Sequence, residues 1–398
     1  MLQSETYNNG SEIVWSMILL GYAMSFIGPF TSNAVISIIP TLEHTFSVSI
    51  ALISLSITLY LFPFSLFQLF SGAISDRFGL MKGVLTGLTL FALSSFYVAI
   101  APDISHFIIA RALQGVGAAF LYPSSMAILG EFSTPEKRGR IMSGFGVATT
   151  AGVSSGPLIA GFFAAFNWRL FFFILTVVSI MITLAFIAQK RYLMRSNISG
   201  TKDKAIVKNI ITAIHDLRLI MLGMMGFLIF FMRIAFYTYL SETLSKAPYF
   251  YDPLTIGSYI SVAGFAGLLS SPVAGFLDDK IGKRKTILIG SMFLLVPFIL
   301  YFTINWVTYL LLLVVTMSFG ITLVFITFSI IAVEINPKLR PTYSSVYNAI
   351  RFLGYSLGPT MALPIFLAFE FTGVIILCLS VALVTLFLAF TNFMKQFG

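Results

Sequence analysis

The chain has 398 residues, with 24 Lys and Arg against 15 Asp and Glu, a formal net charge of +9. It is 58% hydrophobic, 15% aromatic and only 10% charged. Soluble domains carry about 25% charged residues, and a soluble chain this size could not cover so much apolar surface with so few charges. The solvent for most of it is therefore a lipid bilayer.

In chain order, the segment up to Glu12 holds Glu5 and Glu12 and no Lys or Arg. That is unlike the basic start of a cleaved signal peptide, so the first apolar run is expected to persist as a membrane helix. Runs of roughly 20 apolar residues between charged or Pro/Gly-marked breaks predict twelve spans. They are 13–39, 49–70, 83–101, 107–129, 139–165 and 169–188, then 217–240, 254–277, 286–304, 307–333, 343–369 and 371–394. The stretch 189–216 is polar and charged and reads as a linker. It divides the chain into halves 1–188 and 217–398. All Lys and Arg except Arg111, Arg169, Arg233, Lys246 and Arg351 fall in alternate loops, the linker or the C-terminal tail. By the positive-inside rule these are cytoplasmic, as are both termini. The basic balance is thus explained by topology in a plasma membrane, with no nucleic-acid partner. The single cysteine, Cys378, forms no disulfide within the chain.

The halves repeat each other. Gly72-Ala-Ile-Ser-Asp76-Arg77-Phe-Gly79-Leu-Met-Lys82 falls on Gly275-Phe-Leu-Asp278-Asp279-Lys280-Ile-Gly282-Lys-Arg-Lys285 at a shift of 203. Arg138, Ser143 and Gly156-Pro157 fall on Arg340, Ser345 and Gly358-Pro359 at a shift of 202. Two nearly equal shifts at distant places predict two six-helix bundles of like orientation, related by an axis along the membrane normal.

Three motifs give the sequence a resemblance to the major facilitator superfamily, and within it to the twelve-helix drug:proton antiporters. They are the Gly72–Lys82 loop, Arg111-Ala-Leu-Gln114-Gly115-Val-Gly117-Ala-Ala119, and Gly152-x-x-x-Gly156-Pro157-x-x-Ala160-Gly161. The last has Ala160 where a Gly is usual. The resemblance implies an all-α membrane fold, alternating access, and proton-coupled efflux of small amphipathic compounds. It also implies a latch of Gly72, Asp76, Arg77 and Gly79 against the start of span 11 near Tyr343, with Asp279 and Lys280 as a weaker second copy. Arg111 and Gln114 then belong to the coupling machinery, although Arg111 could instead snorkel towards Asp103. Gly152, Gly156 and Gly161 can present a small-residue face for close packing, and Pro157 can bend the helix.

The second half carries the less common chemistry. Tyr347, Arg351 and Tyr355 stand at i, i+4 and i+8 with Asn348 beside them, and Arg233 and Tyr237 stand at i and i+4. Two arginines aimed into a cavity favour an anionic or carbonyl-rich cargo. This motivates an alternative, uptake or exchange of an organic anion or sugar-like solute. The resemblance places spans 1, 4, 7 and 10 around the cavity, and there further lining is expected from Tyr22, Phe26 and Asn33 in span 1, Tyr122 and Met126 in span 4, and Thr322 and Phe325 in span 10. None of the acids falls mid-span, and Glu131, Glu242, Glu334 and Glu370, near span ends, are the candidates for a proton-exchanging carboxylate if the cavity reaches them. Proton coupling is therefore implied by the resemblance alone. His44, His106 and His215 are far apart, and no metal-spaced cluster, nucleophile elbow or Walker loop occurs. The expected protein is a monomer, not an enzyme, without metal or cofactor.

Overall fold

In a computed structural model the chain is a bundle of α-helices. The structure describes residues 2–78, 80–134, 137–189 and 206–391. Among the described residues the helices are α1 (Leu2–Ser37), α2 (Ile39–Phe46), α3 (Ile50–Phe78), α4 (Leu80–Ile100), α5 (Ile104–Glu131), α6 (Arg138–Ala164), α7 (Trp168–Ala188) and α8 (Ile206–His215). They continue with α9 (Leu217–Ser245), α10 (Pro253–Ile281), α11 (Lys283–Leu300), α12 (Leu310–Glu334), α13 (Arg340–Met361) and α14 (Leu363–Phe390). Gly79 and most of the linker lie outside the described residues. So do the side chains at 67–78, which leaves Gly72, Asp76 and Arg77 placed only as backbone of α3.

Helix starts follow from capping. Asp103, Asn167, Asp216 and Asp252 sit at N-caps and accept backbone N–H groups of the first turns of α5, α7, α9 and α10. Among the described residues nine helices are long and apolar enough to cross a bilayer, and there are ten if α2 with Ile50–Leu66, bent by 119°, counts as one span. Of the twelve expected spans, α11 and α13 fall short on composition. α11 opens on Lys283-Arg284-Lys285, and α13 carries Arg340 and Arg351 among Tyr, Ser and Asn residues. Span 11 was expected to run to 369, but α13 stops at Met361 and α14 restarts with Pro364 in its first turn. The expected break at residue 370 is present as a kink inside α14, where Glu370 takes a φ of 52°.

One packing order occurs twice. α1 packs on α6, α3 and α4 on α5, and α4 on α7; likewise α9 packs on α13, α10 and α11 on α12, and α11 on α14. The two sets meet through α6 against α10 and α3 against α13. The 202-residue shift returns in the hydrogen bonds. Ser37 Oγ donates to the Pro157 carbonyl at 2.7 Å, and Tyr239 Oη, 202 positions on, donates to the Pro359 carbonyl. Lys82, Lys137, Arg138 and Lys283–Lys285 mark one end of the bundle, the basic end. The opposite end is called the far end.

Candidate functional site

A cavity of about 260 Å³ lies between the two sets of helices. Its wall is built by α1, α3, α5 and α6 from one set and α9, α10, α12 and α13 from the other. Most of that wall is apolar or aromatic. Arg233 and Arg351 are the charged side chains that border it, and no carboxylate does so among the described residues.

Arg351 is only 6% exposed. Its guanidinium carbon lies 4.4 Å from the ring centres of Phe230 and Phe325 and 4.3 Å from that of Phe352. Three rings thus shield the cation from lipid and stabilise it through their π faces. Its Nε is buried without a partner. Arg233 is less enclosed and lies 5.9 Å from the Phe230 ring. A planar, permanently charged fork at an apolar wall suits a cargo that brings acceptor oxygens and a hydrophobic body.

Other expected residues are placed as follows. Asn33, Tyr122, Tyr355, Thr322 and Phe325 border the cavity. Tyr237 and Tyr347 are buried and do not border it. Tyr347 packs against Gly226 of α9, and its hydroxyl has no partner. Asn348 is half-buried and reaches only Ser344 Oγ. Phe26 turns to a separate groove and stacks on Phe30, while Tyr22 donates to the Ile141 carbonyl. Met126 is 41% exposed and turned away from the cavity. Tyr60, Phe64 and Phe230 border the cavity without having been expected there.

Arg111 does not snorkel. It is fully buried, and Asp103 is taken by His106 at 2.8 Å. Its guanidinium lies 4.0 Å above the Tyr60 ring, and Nη1 donates to Gln114 Oε1 at 2.6 Å. Gln114 in turn donates to Ser95 Oγ at 2.8 Å, tying α5 to α4. Tyr60 Oη donates to the Gly28 carbonyl at 2.8 Å, so the ring that carries the cation is itself fixed to α1.

The glycine face of α6 serves two neighbours. A Cβ at Gly152 or Gly156 would sit 2.4 or 2.2 Å from the Phe26 or Phe30 carbonyl oxygen of α1. One at Gly161 would sit 2.3 Å from the Pro253 carbonyl oxygen of α10. Gly257 of α10 meets the Pro157 carbonyl at 2.3 Å in the reverse sense, and Pro157 lies within α6. Only glycine allows two helices this close.

The α6–α10 contacts at Gly161 and Gly257 belong to a seam between the two sets at the far end. There Leu158 N–H donates to Ser261 Oγ at 3.1 Å, Thr58 and Thr360 hydroxyls stand 2.9 Å apart, and Tyr355 Oη donates to Asn33 Oδ1 at 2.6 Å. Towards the basic end a Cβ at Gly139, Gly146 or Gly275 would meet nothing within 4 Å, whereas α6 still meets α1 there through Gly144 and Tyr22. At the basic end of α10, Asp278 accepts from Thr327 Oγ1 of α12 at 2.8 Å, whereas Asp279 and Lys280 are exposed. Tyr343 at the start of α13 donates to Asp216, the N-cap of α9, at 3.0 Å.

A bundle of membrane-crossing helices, closed at one end around a cavity with polar anchors, has the build of a solute transporter. Among the described residues no group of three or more His, Cys, Asp or Glu is arranged to hold a metal. Residues 18–359 match the Major Facilitator Superfamily, with a second match over 224–396, and the chain belongs to that superfamily. It is 28% identical over 355 residues to the Uncharacterized MFS-type transporter YceJ of Bacillus subtilis (strain 168), which covers 87% of this chain and 88% of that protein. It is 23% identical over 288 residues to Multidrug resistance protein 2 of the same organism, covering 70% of each. It is 25% identical over 308 residues to the Multidrug transporter AQR1 of Candida glabrata, covering 68% of this chain and 52% of that one. The protein is a secondary transporter of small molecules and not an enzyme.

Proposed function

We infer that the chain exports small amphipathic compounds in exchange for protons, by alternating access. The reading takes twelve spans in two six-helix halves, 1–188 and 217–398, joined by the linker 189–216, with both termini cytoplasmic. The observation that carries it is the cavity between the sets of helices: a largely apolar and aromatic wall, two arginines and, among the described residues, no carboxylate, with a seam at the far end. The Lys and Arg distribution favours the cytoplasm for the basic end. Relatives named for multidrug resistance and multidrug transport support export. The aromatic wall selects an apolar body, and Arg233 with Arg351 selects a head group rich in acceptor oxygens.

Proteoliposomes with an imposed pH gradient test this. A fluorescent amphipathic acid should accumulate on the acidic side, against the inward flow of protons, and Arg351→Ala should abolish the accumulation. Accumulation that ignores the gradient but follows an anion placed on the opposite side would replace export with anion exchange. The paired arginines are the observation that favours this second reading.

A further inference from the structure

The sequence places no acid at the centre of a span, yet the structure buries one completely. α9 continues to Ser245, beyond the span end expected at 240, and Glu242 lies in its last turn with 0% exposure. Its Oε1 accepts from Lys246 Nζ one turn on. Its Oε2 is buried and receives no donor. Facing it is Glu43 of α2, a half-buried residue from the other set of helices. α2 packs on α9, and the Glu43 carboxyl there lies against the Glu242 carboxyl.

Two ionised carboxylates can only accept hydrogen bonds and repel one another. They meet at this distance when one of them carries a proton, which is then the donor that Glu242 Oε2 lacks. Lys246 balances the negative charge that remains. The other ionisable groups near the pair begin with His44, exposed and next to Glu43 on α2. Tyr239 on α9 lies close enough to sense the Glu242 charge. Asp252 at the start of α10 is engaged by Thr255 and backbone N–H groups of its own helix, and Glu370 of α14 lies towards Tyr301. The last turns of α1 and α13 at this end hold no ionisable side chain.

We propose that Glu43 and Glu242 are a one-proton lock on the far-end seam: with a proton between them the two sets of helices are held together there, and without it the facing carboxylates part and release the seam. The proton is taken from water on the far side and returned to water, so charge and atoms balance without a co-reactant. The lock deepens the proton-coupled reading and rests on it for its place in the cycle. An exporter driven by external protons needs its outer end to close once a proton has bound, which is the order this pair imposes.

The test needs no cargo. Spin labels at Phe166→Cys and Ile304→Cys, both exposed in far-end loops of opposite halves, report the opening of that end in a Cys378→Ala background. In full-length wild-type protein the distance should lengthen as pH is raised from about 5 to about 9, following the loss of one proton. Glu43→Gln supplies a permanent amide donor to Glu242, so its distance should stay short throughout. A wild-type distance that does not change with pH overturns the lock, as does a Glu43→Gln protein that titrates like wild type. A second readout uses only the wild type: dye-monitored proton uptake should match closing one for one, and closing without uptake also overturns the lock. Failure of pH-driven export with a lock that still titrates would reject the transport reading alone. Export with no titrating lock would reject the lock alone.

Discussion

Replacing Tyr355 with Phe should open the far end of the bundle. The Tyr355 hydroxyl donates to Asn33 Oδ1 at 2.6 Å, and the two residues belong to α13 and α1. Phe keeps the ring and its edge contact with Phe230, whose centre lies 5.7 Å away. What disappears is one hydrogen bond, leaving Asn33 Oδ1 without its donor in a site where Asn33 is 3% exposed. Stranding a buried acceptor costs about 1–3 kcal/mol. The cavity borders Asn33, so water can reach part of it, and the lower half of that range, about 1–2 kcal/mol, applies. A bond across the seam exists only while the seam is shut, so the loss falls on the closed state. The closed-to-open ratio should therefore drop by roughly 5–30-fold. Distances across the far end, measured with the spin-label pair above, give that ratio directly. Asn33→Ala should behave alike, and the double variant should add little, since both remove the same bond. A shift below about two-fold in Tyr355→Phe, or fully additive effects in the double variant, would refute the assignment of this bond to the gate.

Gly161→Val places a side chain where Pro253 O would be 2.3 Å from its Cβ; overpacking of this kind costs about 1–3 kcal/mol. Its melting temperature in detergent should fall, while Gly146→Ala, which meets nothing within 4 Å, should leave it unchanged. Equal melting temperatures for both variants would contradict the close α6–α10 contact. Arg111→Lys should not rescue the arginine, because an ammonium cannot both lie flat over Tyr60 and reach Gln114. A loss of about 1–2 kcal/mol in stability is expected, and a melting temperature equal to wild type would count against it. At the basic end, the Arg218 guanidinium, followed by the Tyr343 hydroxyl, holds Asp216 below its ordinary carboxylate value of 3.8. A group lowered in this way contributes fully above the unfolded value and loses its contribution as pH falls through the folded one. The stability difference between wild type and Asp216→Asn should thus be constant from about pH 8 to about pH 5 and vanish only in stronger acid; a difference that shrinks between pH 8 and 5 would argue against this tie.

What the sequence could reveal depended on whether a signal was local. Apolar runs and N-cap residues such as Asp103 and Asp252 mark helices because the bilayer and the first turn act on neighbouring residues. The tyrosine and arginine face of α13 was also local, but its spacing misplaced one member. Each i+4 step advances the helix about 40° past a full turn, so Tyr347 and Tyr355 differ by about 80°. That rotation carries Tyr347 onto Gly226 of α9 while Arg351 and Tyr355 reach the cavity. The sequence marked α13 as span 11; it falls short of the other spans in apolar composition because its polar residues are spent on the cavity and the seam. Glu242 was legible only as one of four acids near span ends; what singles it out, complete burial away from the cavity and against Glu43 from a distant part of the chain, is a long-range contact that sequence neighbours do not signal.

The contacts divide into those that stay and those that must break. Ser37 to Pro157 and Tyr239 to Pro359 each join helices within one set, so they travel with their halves when the halves rock. The Asn33–Tyr355, Thr58–Thr360 and Ser261–Leu158 bonds join opposite sets and must be undone for the far end to open. At about 1 kcal/mol net for each, these three hold the seam by about 3 kcal/mol beyond packing. Swinging a two-state protein from 1:99 to 99:1 takes about 5.5 kcal/mol of differential binding. On the proposed reading, a seam this weak lies within reach of one cargo molecule and one proton. An all-apolar seam of the same area would hold through packing that neither ligand touches. The hydroxyls and amide along it thus make the closure specific while keeping it reversible.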